Sequence, residues 1–502
     1  MLPNLSEAVA TSRQAIAKTE SYDLIVIGAG ITGAGIARES ARLGWKTLLL
    51  EQGDLASGTS NFSSKMVHGG LRYLIQGNWR LTREAAQARE SLLQRWPDLV
   101  KPLPYYYLQN ERSLITRFKL TAGLWLYHTL AAAEDAHRPR YLSPAALAEH
   151  FPALSFPTGT AASRYYDAIC DDSALVLRTL QEAVNYGAQL SHYASVSELL
   201  TEGDRIAGVT VRLDQSQYTL PAKMVINATG VWADQFTSLP ANLRLRPLRG
   251  SHLLFAAADL PLPAALTLQH PEDGRVVFCY PWAGGSVLGT TDLDHLADKC
   301  QPTQMSQEEQ NYLLALLPQL GLKRSIKPIA CWSGLRPVLA EQGDSQAPSQ
   351  ASREHLIWQQ PGLVNITGGK LTTFASMAEE ALAMAEQQGN LPPRSPQADT
   401  PLRPDKPSQA ACPAGPLDAE ALRYWSGAGA IERLSDLLLR RTRQGLILGR
   451  QLEPLQSQIE QLCQPLAWSS ARWQQEWAHY WREFEHNHGC HDSLDASAKR
   501  SA

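Results

Sequence analysis

Cysteine is scarce in this chain. Its seven residues among 502 are an odd number, with no C-x-x-C pair and no metal-ligand spacing. That usage speaks against a disulfide framework or a structural zinc module and points to a reducing compartment. An excess of either charge is also missing. Forty-six Lys and Arg face 49 Asp and Glu for a formal net charge of −3, so no molecule-wide field exists to hold nucleic acid. No run reaches the ~18 apolar residues that a spanning helix needs. The N-terminal MLPNLSEAVATSRQAIAKTE lacks the basic segment and apolar core of a secretory signal. These absences predict a cytoplasmic protein, free to lie on a membrane face. The longest uncharged run, Leu120–Ala133, contains Thr121, His128 and Thr129 and is expected to be a buried helix, with a membrane-surface contact as the alternative. The length allows two or three domains with cores of their own.

The clearest positive signal is Asp23–Glu51, DLIVIGAGITGAGIARESARLGWKTLLLE. Leu24–Ile27 reads as a strand, Gly28, Gly30 and Gly33 form G-x-G-x-x-G, Ile31–Leu43 has helical spacing, and Thr47–Leu50 is a second buried strand ending at Glu51. Gly28 permits the tight turn, Gly30 lets backbone approach a pyrophosphate, and Gly33 brings helix and strand together. The helix N-terminus favours phosphate, and Glu51 can accept ribose hydroxyls. The unit predicts dinucleotide binding without separating NAD from FAD.

After Glu51, the stretch DLASGTSNFSSKMVHGGLRYL (54–74) is too polar for a core strand. Ser57, Thr59, Ser60, Ser63 and Ser64 surround Lys65, and His68, Gly69, Gly70, Arg72 and Tyr73 follow closely. Hydroxyls and glycines allow close approach to a polar ring, although a capped turn with a satisfied histidine is the plainer reading of the stretch alone. Several further stretches follow in one order: INATGVWAD (226–234), LRGSH (248–252), YPW (280–282), GTTD (289–292), SGLRP (333–337), SREH (352–355) and TGGKLTT (367–373). With GTSNFSSKMVHGGLRYL, this series resembles the FAD-dependent, quinone-linked glycerol-3-phosphate dehydrogenase family over most of the chain.

That resemblance implies FAD, bound noncovalently through Gly28, Gly30, Gly33 and Glu51, with Thr59, Ser60, Ser64, Lys65, His68, Gly69, Gly70, Val196, Ala228, Thr229, Gly230, Gly369, Lys370, Leu371 and Thr372 around it. It implies glycerol 3-phosphate as substrate, bound by Arg72, Tyr73, Arg336, Arg353 and Lys370, and a catalytic set of His252, Arg336 and Lys370. Arginine suits this work because its planar fork makes paired bonds to phosphate oxygens. Imidazole titrates near neutrality, so His252 is the candidate proton acceptor, with His68 and Lys370 as alternatives. No second G-x-G-x-x-G exists to place a nicotinamide donor, and the resemblance implies that electrons leave to a membrane quinone from a peripheral position on the inner face of the cytoplasmic membrane. Other readings are an oxygen-using glycerol-3-phosphate oxidase, an amine or amino-acid oxidase, and a non-catalytic flavoprotein.

The expected fold is α/β: a doubly wound FAD-binding domain, an inserted antiparallel-sheet substrate domain and a small all-helical C-terminal domain. The boundaries are a leader over 1–21, a core over 22–390, a Pro-rich linker over 391–417, a helical domain over 418–486 and a disordered tail over 487–502. FAD-binding parts lie near 22–100, 170–235 and 330–386, and substrate-sheet parts near 101–169 and 236–329. HLLFAA, RVVFCYPW and SVLGTTD read as short antiparallel strands, while Ile329–Trp332 reads as a strand whose regular hydrogen bonding stops at Pro337. IERLSDLLLRRTRQGLIL is the clearest C-terminal helical stretch. Trp473, Trp477, Trp481 and Phe484 share one helix face, expected as core, with a homodimer or membrane contact as alternatives.

Overall fold

The computed structural model describes residues 2–70, 74, 79–110, 114–131, 135–299, 301, 303–322, 325–341, 354–406 and 417–491. The glycine unit lies at the centre of a parallel sheet. Tyr22–Ile27 pairs in parallel with Thr47–Leu50 on one side and with the end of Ser216–Asn227 on the other. Its apolar residues are buried on both faces, as a central parallel strand requires. Gln189–Ser191 and Leu363–Gly368 extend the sheet in parallel, and His355–Gln360 adds an antiparallel edge. Helix Ile31–Arg42 packs against both Asp172–Asn185 and Phe374–Gln387. Ala194–Glu202 and Arg205–Leu213 form an antiparallel ribbon that continues into Ser216–Asn227.

The second sheet is antiparallel apart from one parallel pairing, Ala265–Gln269 with Val100–Asn110. Its long strand Leu243–Ala256 meets Ala330–Glu341 along its length and Gly285–Gly289 on the other side. Val276–Trp282 and Thr160–Cys170 carry the sheet onward. Two expectations are corrected here. Ala330–Glu341 belongs to this sheet rather than to the nucleotide-binding parts, and it runs straight through Pro337. Pro337 lies opposite Pro247. Neither proline has an N–H to donate, and the pair fits a position where antiparallel partners exchange no hydrogen bonds.

The helix covering the uncharged run is Leu114–Ala131. Leu124, Tyr127 and Ala131 are buried, yet Trp125 is 43% and Phe118 75% exposed, so it is buried on one face only. Residues 391–406 have no regular structure but are not a loose linker. They strap the nucleotide-binding domain through Trp45 Nε1 to the Pro392 carbonyl (3.0 Å), Ser395 N to the Leu43 carbonyl (2.8 Å) and Asp399 to Arg38 and Arg95.

The C-terminal helices also depart from the sequence reading. IERLSDLLLRRTRQGLIL breaks into a π-helical turn, Asp436–Arg441, and a short helix, Gln444–Leu448, with Arg443 at φ 59° between them. Its arginines turn inward to carboxylates on the nucleotide-binding domain, and those bonds decide the backbone. The last helix, Ser470–His488, reaches into the expected tail. His488 is buried there and bonds the Cys331 carbonyl through Nδ1 (2.9 Å). Trp473, Trp477 and Phe484 are buried, so that aromatic face belongs to the core.

Candidate active site

Two adjoining cavities occupy the groove between the sheets. The first is lined by Gly28, Gly30, Glu51, Thr59, Ser60, Val196, Ala228, Thr229, Gly230, Gly369, Lys370 and Leu371, among others, and has a volume of about 300 Å³. The second, about 510 Å³, is lined by Ser64, His68, Tyr107, Arg275, Thr290, Asp292, Arg336 and Thr372 among others. Thr59, Ser63, Pro337, Gly369, Lys370 and Leu371 border both.

Local sequence explains the first cavity. Gly28 sits at φ 105°, and a Cβ at Gly33 would stand 1.9 Å from the Gly28 carbonyl oxygen, so the strand, turn and helix close this tightly only with glycine. Gly33 therefore supports the turn from behind and does not face the cavity. The helix N-cap, Gly30, has no side-chain cap, while Ser60 Oγ accepts from Ile31 N at 3.0 Å. The Glu51 carboxylate accepts from Ala29 N (2.8 Å) and Gly53 N (2.9 Å). Its pKa is raised by burial, opposed by those backbone donors.

Glycines also make room in the second cavity. A Cβ at Gly250 would lie 2.2 Å from Arg336 Nη2, and one at Gly289 would lie 2.3 Å from His252 Cδ2. These two positions give LRGSH and GTTD their physical sense: each leaves the space its cross-strand neighbour fills. Arg336 Nη1 bonds Asp292 (3.0 Å), and Nη2 bonds Thr290 Oγ1 (2.9 Å). Arg275 Nη2 donates to the Thr290 carbonyl at 3.0 Å, so two guanidinium groups converge on one residue. His252 is 1% exposed, stacks on Trp332 with centroids 5.1 Å apart, and places Nε2 2.8 Å from Ser64 Oγ. Burial, then the charges of Arg336 and Lys65, push its pKa well below 6.5. The imidazole is consequently neutral at neutral pH. Its Nδ1 and the buried Thr372 Oγ1 have no hydrogen-bond partner among the described residues.

Residues 23–385 match the model of the FAD dependent oxidoreductase family. The chain belongs to that family. Its cofactor is accordingly FAD, and the first cavity has the matching parts: a glycine turn, an uncapped helix N-terminus and a distal acid. Over 377 residues the chain is 36% identical to glycerol-3-phosphate dehydrogenase 2 of Mycobacterium bovis, an alignment covering 74% of this chain and 64% of that protein. Over 383 residues it is 33% identical to the aerobic glycerol-3-phosphate dehydrogenase of Bacillus subtilis, covering 74% and 67% respectively. The chain thus spans about two thirds of the length of these relatives. The crystal structure of the Bacillus halodurans glycerol-3-phosphate dehydrogenase complexed with FAD has the same fold, with a TM-score of 0.72 at 22% identity over 95% of this chain and 97% of that one.

Within this FAD-dependent oxidoreductase, several expected site residues lie elsewhere. Lys65 is fully buried and reaches neither cavity; its Nζ bonds both Asp172 oxygens at 2.8 Å and the Asn61 carbonyl. Gly69 lines neither cavity; it packs against Tyr127 and Ala86, and its N–H donates to Asp167 (3.1 Å). Gly70 supplies a turn at φ 77° and lines neither cavity. Arg72, Tyr73 and Arg353 lie outside the described residues. Sequence reasoning missed Arg275. In isolation it is a charge at the mouth of RVVFCYPW after a PEDG turn, and only strand pairing aims it at Thr290.

Proposed function

We propose that the chain oxidises glycerol 3-phosphate to dihydroxyacetone phosphate and passes the electrons to a membrane quinone. The supporting observation is the charge of the second cavity. Arg275, Arg336 and Lys370 line it; Asp292 offsets one of them, and the other bordering carboxylate, Asp167, is already held by Arg89 (2.5 Å) and Tyr127 (2.6 Å). The remaining positive charge suits a phosphate dianion better than the single carboxylate of an amino acid. The relatives' names point the same way.

FAD supplies the acceptor for the hydride that leaves the carbinol carbon. The protein's part is to hold the phosphate with Arg336, Arg275 and Lys370 and to remove the hydroxyl proton. His252 is the proposed acceptor, reached through Ser64 Oγ at the cavity wall. Its depressed pKa keeps it in the basic form below the ordinary histidine range, so kcat/KM should stay level as pH falls through 6.5 and decline only well below it. A pH profile with its acid limb at 6.5 or higher would count against His252 as the acceptor.

Membrane contact is supported by Trp79, Phe118 and Trp125, exposed by 54%, 75% and 43% on two helices that pack together, Trp79–Arg95 and Leu114–Ala131. Among the described residues no helix is long and apolar enough to cross a membrane. The decisive experiment is anaerobic mixing with glycerol 3-phosphate, which should bleach the flavin band, followed by a soluble quinone, which should restore it. Reoxidation by oxygen but not by quinone would identify an oxidase. Bleaching by an amino acid rather than glycerol 3-phosphate would overturn the substrate assignment.

A further inference from the structure

A buried cluster of four charges joins the C-terminal helices to the turn that carries Ser64. Its centre is Asp172, which is 0% exposed. Asp172 accepts from Ser63 N (3.1 Å), Ser63 Oγ (2.6 Å), Lys65 Nζ (2.8 Å) and Arg443 Nη2 (2.6 Å). Arg443 also holds Asp171 through Nε (2.9 Å) and Nη2 (2.7 Å), and it bonds the Asn61 side chain. Two cations therefore oppose two carboxylates, all of them at most 5% exposed. Lys65 alone cannot balance Asp171 and Asp172. The fourth charge has to come from the C-terminal region, and Arg443 takes a left-handed φ of 59° where it reaches the cluster.

The turn is fixed from its other side by the active-site sheet. Trp332 Nε1 donates to the Ser63 carbonyl (3.1 Å), and Tyr280 Oη donates to the Ser64 carbonyl (2.5 Å). Every one of these contacts restrains backbone or buried side chains of the turn. Ser64 Oγ is the group that it presents to His252.

We infer that Arg443 is a positioning residue for the oxidation: acting through Asp172 and Ser63, it aims Ser64 Oγ at the His252 imidazole. This gives the C-terminal helices a role in the chemistry although none of them borders either cavity. Only the guanidinium fork spans Asp171, Asp172 and Asn61 together. An ammonium in its place keeps the charge but reaches fewer of them, so Asp172 and the turn it holds through Ser63 must shift. The inference rests on the proposed role of His252.

The test is a double-mutant cycle between Arg443→Lys and Ser64→Ala, with kcat, KM and the flavin absorption band measured per bound FAD. Arg443→Lys is expected to lower kcat about tenfold with KM within about threefold, because the substrate's cations are untouched. In the double variant kcat should be no lower than in Ser64→Ala alone, since both changes break one linkage. Ser63→Ala, which leaves Arg443 and its bonds to Asp171 and Asp172 in place and so guards against a misfolded arginine variant, should reproduce the loss of kcat in part. Arg450→Gln, at an exposed ion pair of the same region, should change nothing. Losses that simply add in the cycle, or an Arg443→Lys defect that vanishes once turnover is counted per flavin, would overturn the inference. His252→Asn separates the two readings. If it retains full kcat, the proton acceptor is wrong; if it loses activity while the cycle is additive, the link through Arg443 is wrong.

Discussion

Replacing Arg336 with Ala lowers kcat/KM for glycerol 3-phosphate by at least ~10-fold while FAD content stays close to that of the parent. A charge-assisted hydrogen bond to a desolvated phosphate contributes roughly 1.5 to 3 kcal/mol, and each 1.4 kcal/mol is about a factor of ten. Arg336 is positioned in advance for the task, because Gly250 leaves the space it fills and Asp292 and Thr290 hold two of its nitrogens. Lysine at this position restores only part of the rate, since it keeps the charge and loses the fork. Plain glycerol is expected to be a very poor substrate for the parent, as phosphate binding helps to orient the reacting C–H. Steady-state kinetics with both substrates, alongside flavin absorbance, check the expectation. Normal turnover by the Ala variant, or equal use of glycerol by the parent, would place the phosphate site elsewhere.

Asp54→Asn is expected to cause the largest loss of stability among single changes away from the cavities. Asp54 is 2% exposed and bonds Arg441 through Nη1 (2.8 Å) and Nη2 (2.6 Å), as well as Arg440 Nε. Removing its charge leaves two guanidinium groups buried beside one fewer anion, and breaking a buried pair in this way costs about 3 to 5 kcal/mol. Thermal unfolding at pH 7 should show a midpoint lower by several degrees. The pH dependence follows from the sign of the shift. Burial raises the Asp54 pKa, but Arg441 and Arg440 outweigh it and hold the carboxyl below its ordinary range. Its contribution is therefore complete above the unfolded value of about 3.9 and is lost as pH falls through the folded one. The gap in midpoint between parent and variant should narrow below pH ~4. An unchanged midpoint at pH 7 would show that the interface does not depend on this carboxylate.

The sequence by itself determined the dinucleotide-binding unit, because strand, glycine turn, helix and acid lie within one continuous stretch and each task follows from spacing or from the absence of a Cβ. It also determined the antiparallel character of 246–292, since alternation with period two is a local signal. Arg336 and Lys370, singled out by the family motifs, both line the second cavity. Only the tertiary structure decided what Lys65, Arg275 and Arg443 do. A charged residue in sequence reads as a solvated surface group or a ligand contact, and the choice depends on which carboxylates the fold brings within about 3 Å. Lys65 faces Asp172, Arg443 faces Asp171 and Asp172, and both pairings span more than a hundred residues of chain. The same reason explains the broken C-terminal helix. Helical propensity favours continuing through RRTR, but four buried ion pairs with residues 54, 171 and 172 outweigh a few tenths of a kcal/mol per residue and set the backbone there.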